Sequence, residues 1–306
     1  LIQKLINHLY RYPVSNWKRD QRFGGYFAYK KMQRGRRQMI KAADLLPPVQ
    51  SYPQGLPVYF LTGKNYLYQT LFCIASLQKA SPQQFKYILV DDGSFNMELI
   101  TKVARQLPGA DVITVSEIEK QLDLLLPVAQ FPTLRQKRLV YPHLKKLTDV
   151  HVLPGSQWKL VMDSDMLFWQ QPEEMITWLQ SPRHPIHMID CVESYGYTMQ
   201  LMEALCSAAI PKLLNVGVIG LKSDDINWHE IERWIKELEE HEGASYYLEQ
   251  ALTAMLIGNN KATILDKNAY IVNPHDLNEG AVLHHYVDLS KKVYFTKAWK
   301  SFLPVQ

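Results

Sequence analysis

No apolar run in this 306-residue sequence approaches the length that spans a bilayer; the longest, such as Leu122–Ala129, carry an acid or a proline. Cysteine is scarce. Cys73, Cys191 and Cys206 lie far apart with no C-x-x-C spacing, which excludes a disulfide framework and a cysteine zinc site. Each sits in an apolar context and reads as a buried free thiol, and the odd count fits a reducing, cytoplasmic compartment. The P-loop, G-x-G-x-x-G, H-E-x-x-H and G-x-S-x-G patterns are all missing, so the chemistries they carry have no support here. The start, Leu1–Arg11, is amphipathic and lacks a small-residue cleavage site, so no secretory signal is expected in it.

What is present is an ordinary globular composition. Apolar residues at 47% suffice for a real core, and charged residues at 21% argue against a disordered chain. The net charge of +4 is unevenly spread. Lys4, Arg11, Lys18, Arg19, Arg22, Lys30, Lys31, Arg34, Arg36, Arg37 and Lys41 crowd the first segment, where Asp20 is the sole acid before Asp44. The remainder is therefore net acidic. Residues 1–41 read as helices or partly ordered arms broken at Pro13 and Gly24-Gly25, and Pro47-Pro48 with Pro53-Gln54-Gly55 places a boundary near residue 50. A basic extension, 1–50, thus precedes the main domain, 51–306.

Beyond the boundary, strands alternate with helices. Leu56–Leu61, Phe85–Val90, Asp111–Val115 and Trp158–Met162 read as strands. Tyr66–Lys79, Asn96–Gln106 and Arg135–Leu147 read as helices, the last despite Pro142. The second half is less regular: strands at Pro185–Val192 and Leu213–Leu221, helices at Trp228–Glu240 and Ala244–Leu256, and strand signals in the tail from His284 to Phe302. The pattern predicts an α/β fold with a mostly parallel sheet covered on both faces. Ligands gather at the carboxyl ends of such strands, where Asp91, Asp92, Asp163 and Asp165 all fall.

Asp163-Ser164-Asp165 is the sharpest feature. Two carboxylates spaced i, i+2 converge on one ion only where a strand turns out of its sheet. A hard divalent cation would take them together with two oxygens of a sugar diphosphate. A chance D-x-D that caps the next helix is the alternative, weakened because apolar Trp158–Met162 and Met166-Leu167 flank the pair. After the first strand, Tyr66 offers a face on which a base could stack, or it is a core tyrosine in an ordinary turn. Asp91-Asp92-Gly93-Ser94 could accept hydrogen bonds from a nucleoside or cap the following helix. His284-His285 with Lys291-Lys292 could add an imidazole ligand and a phosphate-neutralising lysine, or be satisfied polar groups.

Taken in order, these stretches resemble the GT-A fold glycosyltransferases, and in particular the family 8 retaining enzymes. Lys159-Leu-Val-Met-Asp163-Ser-Asp165 is similar to their strand entering the metal-binding D-x-D. Asn65-Tyr66 is similar to their nucleoside-contacting pair, and Arg138-Leu139 to an Arg-Leu whose arginine sits near the donor. Asn215-Val-Gly217-Val resembles the Asn-Ala-Gly-Val strand that faces the donor sugar. Glu249-Gln250 falls where the family carries Asp-Gln, and His285-Tyr286 with Lys291 matches the closing motif. The likeness covers roughly residues 56 to 299. Departures are Gly63 or Lys64 in place of an acid, Glu249 in place of Asp, and a displaced Lys297-Ala298-Trp299. Asp91-Asp92-Gly93-Ser94 is instead similar to the inverting family 2, whose later Glu-Asp base and Q-x-x-R-W signature are missing apart from a partial Ile231-Glu-Arg-Trp234.

The resemblance implies a Rossmann-like GT-A domain that moves a hexose from a nucleotide-sugar donor, UDP-linked, with retention. Asp163, Asp165 and His285 would hold the metal, Mn²⁺ or Mg²⁺; Asn65, Tyr66, Asp91, Asp92, Asn215 and Lys291 would bind the donor; Gln250, Glu249 and Arg138 would serve catalysis. The acceptor would be a carbohydrate, lipid-linked or protein hydroxyl, selected by the region 182–211 with Asp190, Glu193, Tyr195 and Tyr197. Alternatives are an inverting family-2-like enzyme, a sugar nucleotidyltransferase, or a degenerate sugar-nucleotide-binding protein. The basic segment 1–41 is a solvated helical face, or it rests on anionic lipid at the inner face of a membrane with Trp17, Phe23, Tyr26 and Phe27 as anchors. Nucleic acid is not expected, for no binding module accompanies the charge.

Overall fold

The apolar segments of the first half place successive side chains in two different cores. Val58 and Phe60 enter one hydrophobic cluster while Tyr59 between them enters the other; Leu160 and Met162 likewise part from Val161. A two-residue period with apolar groups on both sides makes a strand buried on both faces. In the computed structural model, which describes residues 12–304, ten strands result. They are β1 (Leu56–Thr62), β2 (Phe85–Asp91), β3 (Asp111–Ile113), β4 (Trp158–Met162), β5 (Met166–Phe168), β6 (Ile186–Ile189), β7 (Leu214–Lys222), β8 (Thr263–Ile264), β9 (Tyr270–Val272) and β10 (Leu283–His285).

Seven form the main sheet, in the order β3-β2-β1-β4-β7-β6-β8. β1 pairs in parallel with β2 and β4, and β2 with β3, whereas β7 runs antiparallel to both β4 and β6. The result is a mostly parallel sheet with helices on both faces. Reversal of β7 has a consequence for function: its first residues lie beside the last residues of β4, with Met162 opposite Val218. Asn215 and Gly217 thereby reach the carboxyl edge from the second half of the chain. A small second sheet, β5-β10-β9, begins at once after Asp165. In it His285 is in register with Met166, so one backbone ladder sets His285 next to the Asp163–Asp165 turn.

The basic segment forms two helices, Tyr12–Arg22 and Tyr26–Ala42, parted by Gly24 and Gly25 at φ near +90°, a region glycine enters freely. The second buries Met32, Gly35, Met39 and Ala42 against the first of the two cores. At Gly35 a Cβ would stand 1.9 Å from the carbonyl oxygen of Phe295, so the helix approaches the C-terminal helix Lys291–Thr296 at backbone distance. Leu1–Arg11, with Lys4 and Arg11, lies outside the described residues.

Three expectations are corrected. The helix anticipated over Arg135–Leu147 is broken: Pro132–Val140 ends before Pro142, a single 3₁₀ turn comes next, and Lys145–His151 starts anew, because proline lacks the N–H that a helix interior uses. The tail after His285 is helical rather than extended. All three cysteines are free, but only Cys73 is buried; Cys191 is exposed and Cys206 intermediate. Among the described residues no helix is long and apolar enough to cross a membrane.

Candidate active site

β4 delivers Asp163 at the carboxyl edge of the main sheet, and β5 carries the chain away into the small one. Between them Ser164 points inward. Its hydroxyl joins a buried chain with Thr70 (2.8 Å) and Thr62 (2.7 Å) that pins the turn to β1 and to the helix Leu67–Ala80. Asp163 N donates to Gly217 O at 2.8 Å, and Tyr286 N to Asp165 O at 2.8 Å. With the backbone held from both sheets, the carboxylates face the same space. One oxygen each from Asp163 and Asp165 and one ring nitrogen of His285 lie within 4.8 Å of one another.

The imidazole is oriented by its other nitrogen. Asn215 Oδ1 accepts from Gly217 N (2.9 Å), which fixes the amide, and also accepts from His285 Nδ1 (3.2 Å). Nε2 is then aimed at the carboxylates, 3.4 Å from Asp165 and 3.5 Å from Asp163, buried and without a hydrogen-bond partner. A neutral histidine held by Nδ1 with its Nε2 lone pair facing two carboxylates is a good nitrogen–oxygen donor set for a divalent ion. Gly217 is needed here, because a Cβ would stand 2.5 Å from the imidazole and 2.8 Å from Asn215 Oδ1.

Two lysines frame the pair. Lys146, buried, donates to Asp163 at 2.9 Å and to Val216 O at 3.2 Å, with Glu249 at 3.7 Å on its other side. Lys291 Nζ lies 3.4 Å from Asp165 and is 39% exposed, so it can also meet a ligand. Burial alone would raise both aspartates, but Lys146 and His285 hold Asp163 well below the usual range, and His285 with Lys291 holds Asp165 low. Burial would likewise lower His285, yet its two acid neighbours push it up to about 9, so a cation bound by Nε2 would displace a proton. Lys146 is raised because Asp163 and Glu249 outweigh its burial. Glu249 is pushed up to about 7 by burial, which Lys146 at 3.7 Å offsets only in part.

The other candidate residues differ in what satisfies them. Gln250 Nε2 donates to Leu214 O (2.8 Å) and Asp190 Oδ2 (3.2 Å), and Asn215 Nδ2 donates to the same Asp190 oxygen (3.0 Å). This ties Gln250, Asp190 and Asn215 into one network with His285. Asn65 and Tyr66 lie exposed in the turn after β1, where Tyr66 is 50% accessible. Asp91 and Asp92 instead organise their own turn. Asp91 Oδ1 accepts from Gly93 N, Ser94 N and Phe95 N, and Asp92 Oδ1 from the Ser94 backbone and hydroxyl. Arg138 is buried, with its guanidinium bound by Asp149 and Glu119. Tyr195 and Tyr197 are also buried, whereas Tyr246 and Tyr247 are exposed, with Tyr246 edge-on to His143 at 4.6 Å. A cavity of about 590 Å³ opens beside Asp190, Cys191 and Leu213.

Lys146, Asp190 and the two tyrosines at 246–247 are what sequence reasoning missed or left unoriented. A lysine in His-Leu-Lys-Lys-Leu reads as solvated, and only the break at Pro142 turns one of the two lysines inward. Lys145 meanwhile donates to Asp92 O at 2.6 Å.

No protein-family model and no curated protein matches the sequence. Solved structures do match the fold. The chain is similar to galactosyltransferase LgtC in complex with donor and acceptor sugar analogues, at a TM-score of 0.54 and 15% identity over 82% of this chain and 97% of that one. Mouse xyloside xylosyltransferase 1 in its apo form aligns at a TM-score of 0.51 and 12% identity over 78% and 97%. An active-site mutant of LgtC aligns at 0.50 and 16% identity over 76% and 87%. The neighbours are GT-A glycosyltransferases, and this chain shares their fold.

Proposed function

We propose that the chain is a metal-dependent glycosyltransferase that moves a hexose from a nucleotide-sugar donor, UDP-linked, to an acceptor hydroxyl with retention. The observation that carries the reading is the convergence of Asp163, Asp165 and the unpartnered Nε2 of His285 at the carboxyl edge of a GT-A sheet, beside the accessible Lys291. Those three residues would hold Mn²⁺ or Mg²⁺, which supplies Lewis-acid stabilisation of the leaving diphosphate when bound. Lys291 exchanges its contact with Asp165 for a diphosphate oxygen and adds a second positive charge where negative charge develops.

Within this reading Asn65 and Tyr66 take the nucleoside, the ring of Tyr66 offering a stacking face. Asn215 faces the sugar while it orients His285. Gln250, its Nε2 held by Leu214 and Asp190, presents Oε1 to the sugar ring and stabilises an oxocarbenium-like state. Glu249 acts through Lys146, whose charge keeps Asp163 ionised. Asp91 and Asp92 support the nucleoside pocket by shaping its turn, and Arg138 supports it by joining the helices on either side of Pro142. The acceptor, a carbohydrate or a lipid- or protein-linked hydroxyl, enters by the cavity beside Asp190, between the loop after β6 and Ile264–Lys267.

A thermal-shift screen against UDP-, GDP-, ADP- and CMP-sugars, each with Mn²⁺ and with EDTA, tests the reading, since a ligand of the folded state raises its stability. A metal-dependent shift with one nucleotide class supports it and names the base. Binding without acceptor-independent hydrolysis or transfer would favour a sugar-nucleotide-binding protein, and no shift at all would overturn the donor site.

A further inference from the structure

We propose that the two N-terminal helices form a docking face for an anionic phospholipid bilayer. On the helix Tyr26–Ala42 the buried residues Met32, Gly35, Met39 and Ala42 occupy one side. Phe27, Lys30, Lys31, Arg34, Arg37 and Lys41, all exposed or half-buried, occupy the other at helical spacing. At 1.5 Å per residue the cations from Lys30 to Lys41 form a stripe about 16 Å long. Among the described residues, Lys18, Lys30, Lys31, Arg34, Arg37 and Lys41 make no ion pair, whereas Arg19 and Arg22 are matched by Asp20 and Asp288. The helix itself contains no acid. A solvated surface helix normally mixes both signs, so an unbroken run of one sign calls for a partner of the other.

Aromatic exposure argues for lipid rather than another polyanion. Phe27 heads the stripe at 86% exposure and meets Tyr26, itself 54% exposed, edge-on at 5.6 Å, with Lys30 over the Tyr26 ring at 5.3 Å. Trp17 on the preceding helix is 62% exposed. Large apolar rings beside lysines suit the headgroup boundary, where the ring leaves water and the ammonium meets phosphate. The face is also rigidly joined to the rest. Gly35 meets the backbone of Phe295, and Lys292 reaches the Gly24 turn and adds its charge there. The helix that carries these contacts begins at Lys291, which contacts Asp165. A bilayer bound here would hold the candidate active site at a set orientation to the membrane.

Sedimentation of the full chain with vesicles tests this, with a readout independent of donor or turnover. The chain should pellet with vesicles containing one-third phosphatidylglycerol and not with phosphatidylcholine alone, and binding should weaken as salt rises from about 0.1 to about 0.5 M. Each cation near such a surface contributes about fivefold, so K31E/R34E/R37E should lower partitioning by about 100-fold or more. Phe27→Ser should cost roughly tenfold at unchanged charge. None of the four side chains belongs to the buried core, so the melting temperatures should match the parent chain. Equal pelleting of K31E/R34E/R37E and the parent overturns the proposal, as does capture of a single-stranded oligonucleotide by a protein that ignores both vesicle types.

Discussion

Two pairs of carboxylates sit at strand ends in the main sheet, and they have opposite fates. Asp91 and Asp92 close β2 and are satisfied by their own turn, where four backbone N–H donations and the Ser94 hydroxyl reach their Oδ1 atoms. Asp163 and Asp165 close β4, and among the described residues their carboxylates take no backbone donor. They face instead a histidine nitrogen with no hydrogen-bond partner and two lysines. Neighbouring acids at a strand end therefore mark a ligand site only where the backbone does not satisfy them. The difference arises from the segment after each strand: a glycine turn that folds its N–H groups back, or a second strand that leads the chain away.

The widest separation between the pairs should appear in metal binding. Asp165→Ala should abolish Mn²⁺ binding by calorimetry and lower transfer by about 10³-fold or more. A variant that keeps both bound metal and activity would mean that this pair, too, is structural. Next in size is Lys146→Met. Removal of the buried cation between Asp163 and Glu249 leaves uncompensated acids, at an expected loss of about 3–5 kcal/mol in urea unfolding. Unchanged stability would show that Asp163 does not depend on Lys146.

Much of this contrast was legible in the sequence, and the limit is physical. The strand into Asp163 could be read because a continuous apolar run ends in acids, and a strand of that kind needs no tertiary information to be recognised. That Asp91 would spend its oxygen on Gly93, Ser94 and Phe95 could not be read, since a turn and a ligand site share the same residues. The buried lysine was missed because a helix expected to run through Pro142 would place Lys145 and Lys146 like any solvated pair. The break there gives Lys145 to Asp92 and Lys146 to Asp163. Asn215 could be named only by resemblance, and His285 only as one of two adjacent histidines that could ligate or be satisfied polar groups. The meeting of Asn215 and His285 depends on the reversal of β7 and on the β5–β10 register, which are pairings between segments far apart in the chain.

A smaller effect separates the pairs by pH. Glu249, pushed up to about 7 by burial beside Lys146, keeps its proton in the folded state when the unfolded chain has lost it. Between about pH 4.5 and 7 the folded state binds more protons, so this group makes stability fall as pH rises, and the loss is complete above the folded value. Glu249→Gln removes that dependence. The variant should match the parent below about pH 4.5 and gain on it through the window, by about 1–3 kcal/mol above pH 7. Parallel stability curves would show that Lys146 fully compensates Glu249.

The smallest effect tests the other side of the comparison. Asp91→Asn retains an oxygen for Gly93, Ser94 and Phe95 and loses only the charge, so unfolding should report a loss of about 1 kcal/mol. Mn²⁺ binding should be unaltered, since the turn stands apart from the three ligands. Nucleotide affinity decides what the turn does. If Asp91 only shapes the pocket, the dissociation constant should move by less than about threefold. If its second carboxylate oxygen accepts a hydrogen bond from the nucleoside, replacing that oxygen by an amide NH₂ sets donor against donor and weakens binding by about tenfold or more. The first result leaves the acids of β2 as architecture. The second would place both strand ends on one ligand, with the base at the satisfied pair and the diphosphate at the unsatisfied one.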